Sequence, residues 1–226
     1  MENMEFSLII PVYNQGDVLK ETIKKIVDTF GNSCEIIIIN DASTDNTEKA
    51  IEHYREQIIY IKNSENMGKG YSVKKGILMA KSSYKIFTDA DLPYGVEGIK
   101  KVFEKLKTEC DIAVGHRVNP YCQNPVRLLG HKIFNLFIRT YLKIPLKDTQ
   151  CGLKGFKADV ADEIFKSLTI DGFAFDLEIF CLALKKGYKI CKVDVRQLSA
   201  GLSTINMKAL LKMLIDVRKI KKAYNS

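Results

Sequence analysis

The sequence predicts an α/β fold: a single domain in which a mostly parallel central sheet carries helices on both faces. Short runs that are apolar at every position alternate with helical patterns along most of the chain, and strands apolar on both faces are typical of parallel sheets buried between helices. A length of 226 residues, 46% of them hydrophobic, suffices for one well-buried core. Because no repeat or linker divides the chain, we expect one domain over 1–204, followed by a basic amphipathic helix over 205–226.

Five apolar runs predict the strands of this sheet. FSLIIPVY, CEIIIIND, QIIYIKN, YKIFTD and CDIAVGHR are short and rich in β-branched and aromatic residues, as buried strands are. They occupy 6–13, 34–41, 57–63, 84–89 and 110–117.

Apolar residues at helical spacing predict the elements between and after these strands. The second helix begins near Thr44, where Asp45 and Glu48 stand at capping-box spacing. The glycine turn SENMGKG opens the third. The predicted helices are 17–30, a segment from 44 onward, 71–81, 95–107, 127–143, 158–167, 175–186 and 206–224.

The formal net charge of +8 is concentrated at the C-terminal end. Residues 206–226 hold six Lys or Arg and one Asp, so this segment carries +5 and the rest of the chain +3. Since no aromatic-rich basic platform or nucleic-acid motif accompanies the charge, we expect no nucleic-acid partner. Its amphipathic pattern favours contact with an anionic membrane surface, with packing on the domain as an equal alternative. The segment 126–144 is a second membrane-facing candidate with the same alternative.

Targeting signals are not apparent in this sequence. No segment reaches the roughly 18 uninterrupted apolar residues that a membrane span needs, and the start MENMEFSLII lacks the basic region of a signal peptide. Six cysteines occur singly, without a C-x-x-C pair, and are expected to be reduced core thiols. We therefore expect a cytoplasmic protein that is peripheral at the inner face of a membrane.

Polar residues follow four of the predicted strands, at the edge of the sheet where doubly wound folds bind ligands. In FTDADLPY, Asp89 and Asp91 bring two carboxylates close together. Because like charges repel, the pair predicts a hard cation, Mg²⁺ or Mn²⁺, held together with a substrate diphosphate. The alternative is that Asp89 caps the next helix and Asp91 is solvated.

Two further segments support a nucleotide site at this edge. Asp41 ends a neighbouring strand, where its carboxylate can accept an N–H of a base; capping the following helix is the alternative. The turn NMGKGYSVKKG supplies Gly68 and Gly70 for close backbone approach, with Lys69 and Lys74 able to face phosphate.

The segments IIPVYN, INDASTDNT, NMGKG, FTDADLP, GHR, DTQCGLKGF and FAFDLEIF, in this order, resemble the family 2 glycosyltransferases with a GT-A fold, over about 6–204. The sequence is most similar to the polyprenyl-phosphate hexose synthases, in the branch that glucosylates dolichyl phosphate. The resemblance implies an inverting, metal-dependent transfer of a hexose from a nucleotide sugar, with UDP-glucose favoured, to a polyprenyl phosphate. A different cell-envelope or soluble acceptor, and a non-catalytic nucleotide-sugar-binding protein, are the alternatives.

The resemblance also implies roles for residues of the nucleotide pocket. Pro11, Tyr13 and Asn14 would line the base and ribose pocket, and Asp41 would recognise the base. Lys69 would also belong to the donor site.

For the metal, the resemblance implies that Asp91 is a ligand and that Asp89 meets the ribose or metal-bound water. Arg117 and Arg127 would bind the acceptor phosphate or the leaving diphosphate, because a guanidinium fork pairs with phosphate oxygens. A solvated helix residue is the alternative for Arg127.

Sugar binding is implied for Gln150, Gly152 and Lys154 in DTQCGLKGF. FAFDLEIF adds Asp176 and Glu178. In enzymes with hydroxyl acceptors a carboxylate here is a general base, but a phosphate acceptor is already anionic.

We therefore expect Asp176 to point into the site and position the sugar, with capping of the helix from 177 as the alternative. Asp91, Arg117 and Asp176 are the predicted catalytic residues. Three positions depart from the family pattern: Asn14 replaces a frequent Glu, Pro93 a possible metal-shell side chain, and Thr204 an expected lysine.

Overall fold

A computed structural model describes residues 4–118, 136–146, 148–198 and 207–224, without the side chains of 207–210. Seven strands make one sheet. They are β1 (Phe6–Val12), β2 (Cys34–Asn40), β3 (Ile58–Lys62), β4 (Tyr84–Phe87), β5 (Ile112–Arg117), β6 (Lys154–Lys157) and β7 (Ile190–Val195). Their order is β3-β2-β1-β4-β6-β5-β7, and every pair is parallel except the two that β6 makes with β4 and β5.

Helices cover the sheet. They are α1 (Gly16–Phe30), α2 (Thr47–Ala50), α3 (Lys69–Met79), α4 (Gly95–Thr108), α5 (described over 136–142), α6 (Ala158–Ser167), α7 (Phe175–Lys186) and α8 (Met207–Tyr224). Two short 3₁₀ turns, Gly31–Ser33 and Glu52–Tyr54, follow α1 and α2.

Two hydrophobic cores lie on opposite faces of the sheet. Because successive strand residues point to opposite faces, Ile9 of β1 packs into the core that α3, α6 and α7 contribute to. Its neighbours Leu8 and Ile10 pack with α1 and α4. The predicted α/β fold, with a mostly parallel sheet between two helical layers, is confirmed.

The second half of the sheet differs from the prediction. The apolar-run pattern gave no strand at β6 or β7, yet β6 enters between β4 and β5 and runs antiparallel to both. β6 has four residues, and Lys154, its first, is buried. A strand that short with a charged residue at a buried position carries no apolar run to detect.

The predicted capping box at the second helix is wrong. Asp45 accepts hydrogen bonds from the backbone N–H of Thr47 at 3.0 Å and of Gly16 at 3.0 Å, so it joins the starts of α1 and α2. Glu48 forms an ion pair with Lys62 instead of returning to the cap. The contact between two loops outcompetes the local motif. The third helix also begins two residues earlier than predicted, at Lys69.

The C-terminal helix α8 packs on the domain. Met213, Val217 and Ile220 are buried at a helical spacing against the core below α7, whereas Leu211 and Ile215 are exposed. Of the two alternatives for this segment, packing on the domain is therefore correct for one face of the helix. The limits 1–204 and 205–226 stay a prediction, and none of the helices in the described ranges is long and apolar enough to cross a membrane.

Two isoleucines of α8 provide a matched test of this packing. Ile220 is 1% exposed and Ile215 is 53% exposed. We expect Ile220→Ala to lower the free energy of unfolding by about 2–5 kcal/mol, because it leaves a cavity, and Ile215→Ala to change it by less than about 0.5 kcal/mol. Urea denaturation measures both values. Equal losses would contradict the orientation of the helix.

Candidate active site

Several of the predicted site residues lie together beyond the carboxyl ends of β1, β2 and β4, where a doubly wound sheet forms a crevice. The first turns of α3 and α7 face the same crevice, as does the segment 148–153 that leads into β6. At its centre, Lys69 lies within electrostatic reach of Asp89, Asp176 and Asp91. The fold therefore brings together residues that are up to 107 positions apart in the chain.

Asp89 is held by two parts of the chain. Its Oδ1 accepts a hydrogen bond from Lys69 Nζ at 2.5 Å. Its Oδ2 lies against Gly152, where an added Cβ would stand 2.0 Å from that oxygen. Gly152, predicted to shape the sugar pocket, is thus required as glycine by the neighbouring carboxylate. Burial would lower the pKa of Lys69, but Asp89 and Asp176 outweigh it and raise that pKa.

The segment from Asp89 to Gly95 is a tight turn. Leu92 donates its N–H to the Asp89 carbonyl and adopts a positive φ of 46°, a conformation that side-chain-bearing residues rarely adopt. The hydroxyl of Thr22 in α1 donates to the Ala90 carbonyl at 2.7 Å, which fixes the residue between the two aspartates. The turn is therefore held by one hydrogen bond within it and by one from α1 to the middle residue of the DAD motif.

Asp176 and Lys154 form a buried ion pair. Lys154 Nζ donates to Asp176 Oδ1 at 2.8 Å and to the Cys151 carbonyl at 2.6 Å, and its ammonium lies over the rings of Phe87 and Phe180. Burial raises the pKa of Asp176, and the cations Lys154 and Lys69 only partly offset it. Asp176 makes no side-chain cap of α7, and its carboxylate is paired with Lys154 and lies near Lys69. Its role in positioning the sugar stays a prediction.

Arg117 forms a two-pronged ion pair with Asp148. Nε donates to Oδ2 at 2.7 Å and Nη2 to Oδ1 at 2.8 Å. Burial would raise the pKa of Asp148, but the guanidinium beside it holds that pKa below its ordinary value. Asp148 was not singled out from the sequence. Its place as the first residue of DTQCGLKGF was the available signal.

Asp41 holds the loop that precedes α3. Its Oδ1 accepts from Asn63 Nδ2 at 2.8 Å and from the Met67 N–H at 2.9 Å, and its Oδ2 accepts from the Gly68 N–H at 2.8 Å. None of these hydrogen bonds goes to α2, so the alternative in which Asp41 caps the following helix is wrong. Recognition of a base by Asp41 stays a prediction, and the structure adds a loop-forming contact that the sequence did not indicate.

The β1–α1 turn contains the three remaining predicted nucleotide contacts. Pro11 is buried in β1, Tyr13 is exposed, and Asn14 adopts a positive φ of 52°, which asparagine tolerates. Asn14 Oδ1 accepts from the Thr44 N–H at 2.8 Å, and the Asn14 N–H donates to Ser43 Oγ at 2.9 Å. Asn14 therefore connects this turn to the loop after β2, and both Tyr13 and Asn14 are exposed.

Other predicted residues lie at the margin of the crevice. Gln150 Nε2 is 3.8 Å from Met213 Sδ of α8. Lys74 donates to the Leu168 carbonyl at 2.7 Å instead of facing the crevice. Burial raises the pKa of the Cys151 thiol to about 11, as expected for a packed cysteine. Arg127 and Thr204 lie outside the described residues.

A divalent metal fits the donor chemistry of the crevice. The two carboxylates of Asp89 and Asp91 are hard oxygen donors, and Mg²⁺ or Mn²⁺ is usually held by one or two carboxylates with water and phosphate. Within the part of the chain that the structure describes, no three His, Cys, Asp or Glu side chains converge on one point. An ion here would therefore take its other ligands from water and from a substrate.

The family comparison agrees with this fold and site. The model of Glycosyl transferase family 2 matches residues 7–165. Two similar proteins are the dolichyl-phosphate beta-glucosyltransferases of Dictyostelium discoideum, 33% identical, and Saccharomyces cerevisiae, 29% identical; each match covers 86% of this chain and 67% of the relative. The chain belongs to glycosyl transferase family 2, and it is a glycosyltransferase.

Solved structures show the same fold. The glucosyl-3-phosphoglycerate synthase of Mycobacterium tuberculosis, in complex with phosphoglyceric acid, superposes with a TM-score of 0.75 at 14% identity and covers 97% of this chain and 80% of its own. The same enzyme with Mn²⁺, UDP and glucosyl-3-phosphoglycerate gives a TM-score of 0.71 at 14% identity, covering 95% and 77%. At this identity the likeness establishes the GT-A fold.

Two lysines of β6 test the buried pair. Lys154→Met leaves the Asp176 carboxylate without its partner, and we expect it to lower the free energy of unfolding by about 3–5 kcal/mol at neutral pH. Lys157→Met removes a lysine whose pair with Asp111 is partly exposed, and we expect a loss below about 1 kcal/mol. Urea denaturation compares the two variants.

The pH dependence of that loss has a defined sign. A carboxyl whose pKa is raised on folding favours the folded state below its unfolded pKa, and this contribution is lost as pH rises through the folded pKa. Removing Lys154 raises the pKa of Asp176 further. The destabilisation by Lys154→Met should therefore be larger at pH 8 than at pH 5, and a larger loss at pH 5 would contradict the pairing.

Proposed function

We propose that this glycosyltransferase moves a hexose from a nucleotide sugar, with UDP-glucose as the favoured donor, to the phosphate of a polyprenyl phosphate, inverting the anomeric carbon. The observation that carries the proposal is the cluster of Asp89, Asp91 and Lys69 at the carboxyl ends of the parallel strands. Such a cluster suits a diphosphate and its cation. The two relatives from Dictyostelium discoideum and Saccharomyces cerevisiae are named as dolichyl-phosphate beta-glucosyltransferases.

Metal dependence is part of the proposal. Asp89 and Asp91 would hold Mg²⁺ or Mn²⁺, which when bound stabilises negative charge on a leaving diphosphate. A solved GT-A neighbour contains Mn²⁺ with UDP. Lys69 partly neutralises the charge of Asp89. It is the first residue of α3, and its ammonium would bind the diphosphate beside the cation.

The acceptor side of the crevice suits an anion. Asp176 is paired with Lys154 through one carboxylate oxygen. An acceptor phosphate is already anionic and needs no general base to become a nucleophile. Two of the five N–H donors of Arg117 are used by Asp148, and its side chain is 26% exposed. Arg117 would orient the acceptor phosphate, with Asp148 holding the guanidinium plane.

The conversion of Asp91 to asparagine tests the reaction. Transfer of labelled hexose from UDP-glucose, UDP-N-acetylglucosamine and GDP-mannose to a polyprenyl phosphate, with Mn²⁺ or Mg²⁺, names the donor. We expect Asp91→Asn to reduce the rate by about 10²- to 10³-fold, as for loss of one electrostatic stabiliser. Asp194→Asn, in an exposed ion pair with Lys192 on β7, should leave the rate unchanged.

Each negative result has a distinct meaning. No lipid product despite metal-dependent binding of UDP would overturn the acceptor and favour a soluble or cell-envelope acceptor. If Asp91→Asn left the rate unchanged, the proposed role of Asp91 as a metal ligand would be wrong.

We also propose that α8 contacts an anionic membrane surface, from the cytoplasmic side. The exposed residues Leu211, Ile215, Arg218 and Lys222 recur at intervals of three or four and form one stripe on the outward side of the helix. Apolar tips among basic side chains are the composition of an interfacial helix. The amphipathic pattern predicted that the apolar face of this helix would meet the membrane. That prediction is wrong for the main apolar face, because this face is buried in the domain.

A charge reversal tests this contact. Arg218→Glu/Lys222→Glu should weaken sedimentation with phosphatidylserine-containing vesicles by more than about tenfold, because each basic residue near an anionic surface contributes to binding. Lys100→Glu/Lys107→Glu on α4, where both lysines are exposed, makes the same change in net charge elsewhere. Equal losses in the two variants would show a general charge effect and overturn the proposed surface.

A further inference from the structure

A second carboxylate of α7 lies outside the crevice and is used differently. Glu178 is fully buried and accepts four hydrogen bonds. Its Oε2 accepts from the backbone N–H groups of Thr169 at 3.0 Å and Ile170 at 2.9 Å, and its Oε1 accepts from the Thr169 hydroxyl at 2.7 Å and the Tyr224 hydroxyl at 3.0 Å. Glu178 therefore joins the loop 168–171 to the last residues of α8.

The other side of this loop supports the first turn of α3. The Tyr71 N–H donates to the Asp171 carbonyl at 3.2 Å. An added Cβ on Gly68 would stand 2.6 Å from the Asp171 carbonyl oxygen, and one on Gly70 would stand 2.7 Å from the Ile170 carbonyl oxygen. The two glycines that flank Lys69 are thus in close contact with the loop backbone that Glu178 holds.

We propose that Glu178 is a positioning residue for the donor site, acting through the loop 168–171 on the turn that carries Lys69, with Tyr224 of α8 completing its hydrogen bonds. The proposal deepens the proposed function, on which it rests only for the nature of the bound ligand. Glu178 itself touches neither the crevice cluster nor its ligand.

The physical effect follows from the closeness of these contacts. A loop that loses its hydrogen bonds populates several positions, and backbone groups packed at the distance seen for Gly68 and Gly70 must move with it. Lys69 would then spend less time beside Asp89. The apparent dissociation constant of a ligand rises by the inverse of the fraction of molecules that are competent to bind it.

Two substitutions with matched controls test the idea on the full chain. Glu178→Gln keeps the shape of the side chain but replaces an acceptor oxygen with a donor, and Tyr224→Phe removes one hydroxyl. Glu163 and Tyr188 form the same pair of residue types at the surface, where the Tyr188 hydroxyl donates to Glu163. Glu163→Gln and Tyr188→Phe are therefore the controls.

The first measurement is binding of UDP with Mn²⁺, beside the thermal midpoint of each variant. We expect Glu178→Gln and Tyr224→Phe to raise the dissociation constant by about two- to thirtyfold, and to raise KM for the nucleotide sugar more than they lower kcat. The controls should leave both constants unchanged. A lower thermal midpoint with unchanged binding and KM would mean that Glu178 is merely structural, and would overturn the proposal.

Hydrogen exchange separates this proposal from the proposed function. The Tyr71 amide, which donates to Asp171, should exchange faster in ligand-free Glu178→Gln than in wild type or Glu163→Gln. If wild type bound neither UDP nor GDP, the proposed nucleotide-sugar donor would be wrong. The exchange rate of the Tyr71 amide would still test whether Glu178 acts on the first turn of α3. An unchanged exchange rate at Tyr71 would overturn it.

Discussion

Lys154 is fully buried, and its ammonium is bonded to the Asp176 carboxylate and the Cys151 carbonyl between the rings of Phe87 and Phe180. A buried ammonium is tolerated only with such partners, since desolvating an unpaired charge costs several kcal/mol. The pair thus fixes the register of β6 relative to β4 and α7. The segment before β6 then passes beside Asp89, where Gly152 leaves room for the carboxylate. The crevice depends on this one antiparallel strand.

The first five strands were predictable from the sequence because each is a continuous apolar run, and the two cores on the faces of the sheet follow from the alternation of side chains. β6 could not be found in this way. Its four residues, KGFK, contain two lysines, and its burial comes from pairing with strands on both sides. In β7, Val193 and Val195 alternate with charged residues after the left-handed Gly187. That period of two was a detectable signal of an edge strand.

The location of the site was predictable, and its internal pairing was not. Ends of parallel strands meet at one edge, so Asp89, Asp91 and Asp41 were expected there from their positions alone. A sequence presents each charged residue as though it were open to a ligand. In the structure, Asp41 accepts hydrogen bonds from the loop before α3. Arg117 pairs with Asp148, which lies 31 residues away in the chain. Such partners come from loops whose paths the sequence pattern does not determine.

The two carboxylates in the first turn of α7 have different partners and therefore different roles. Asp176 pairs with a lysine, and Glu178 accepts from backbone N–H groups and hydroxyls, although only one residue separates them. This division bears on the chemistry of the crevice. Within the part of the chain that the structure describes, three ion pairs belong to the crevice: Asp89 with Lys69, Asp148 with Arg117, and Asp176 with Lys154.

A nucleotide diphosphate and an acceptor phosphate would both add negative charge to that balance. Repulsion between like charges in a partly buried crevice is stronger than in water, so binding both substrates calls for positive charge beyond the side chains described. A divalent cation at Asp89 and Asp91 would supply it. The same electrostatic argument applies to Arg127, whose predicted contact with a phosphate would add positive charge beside that of the cation.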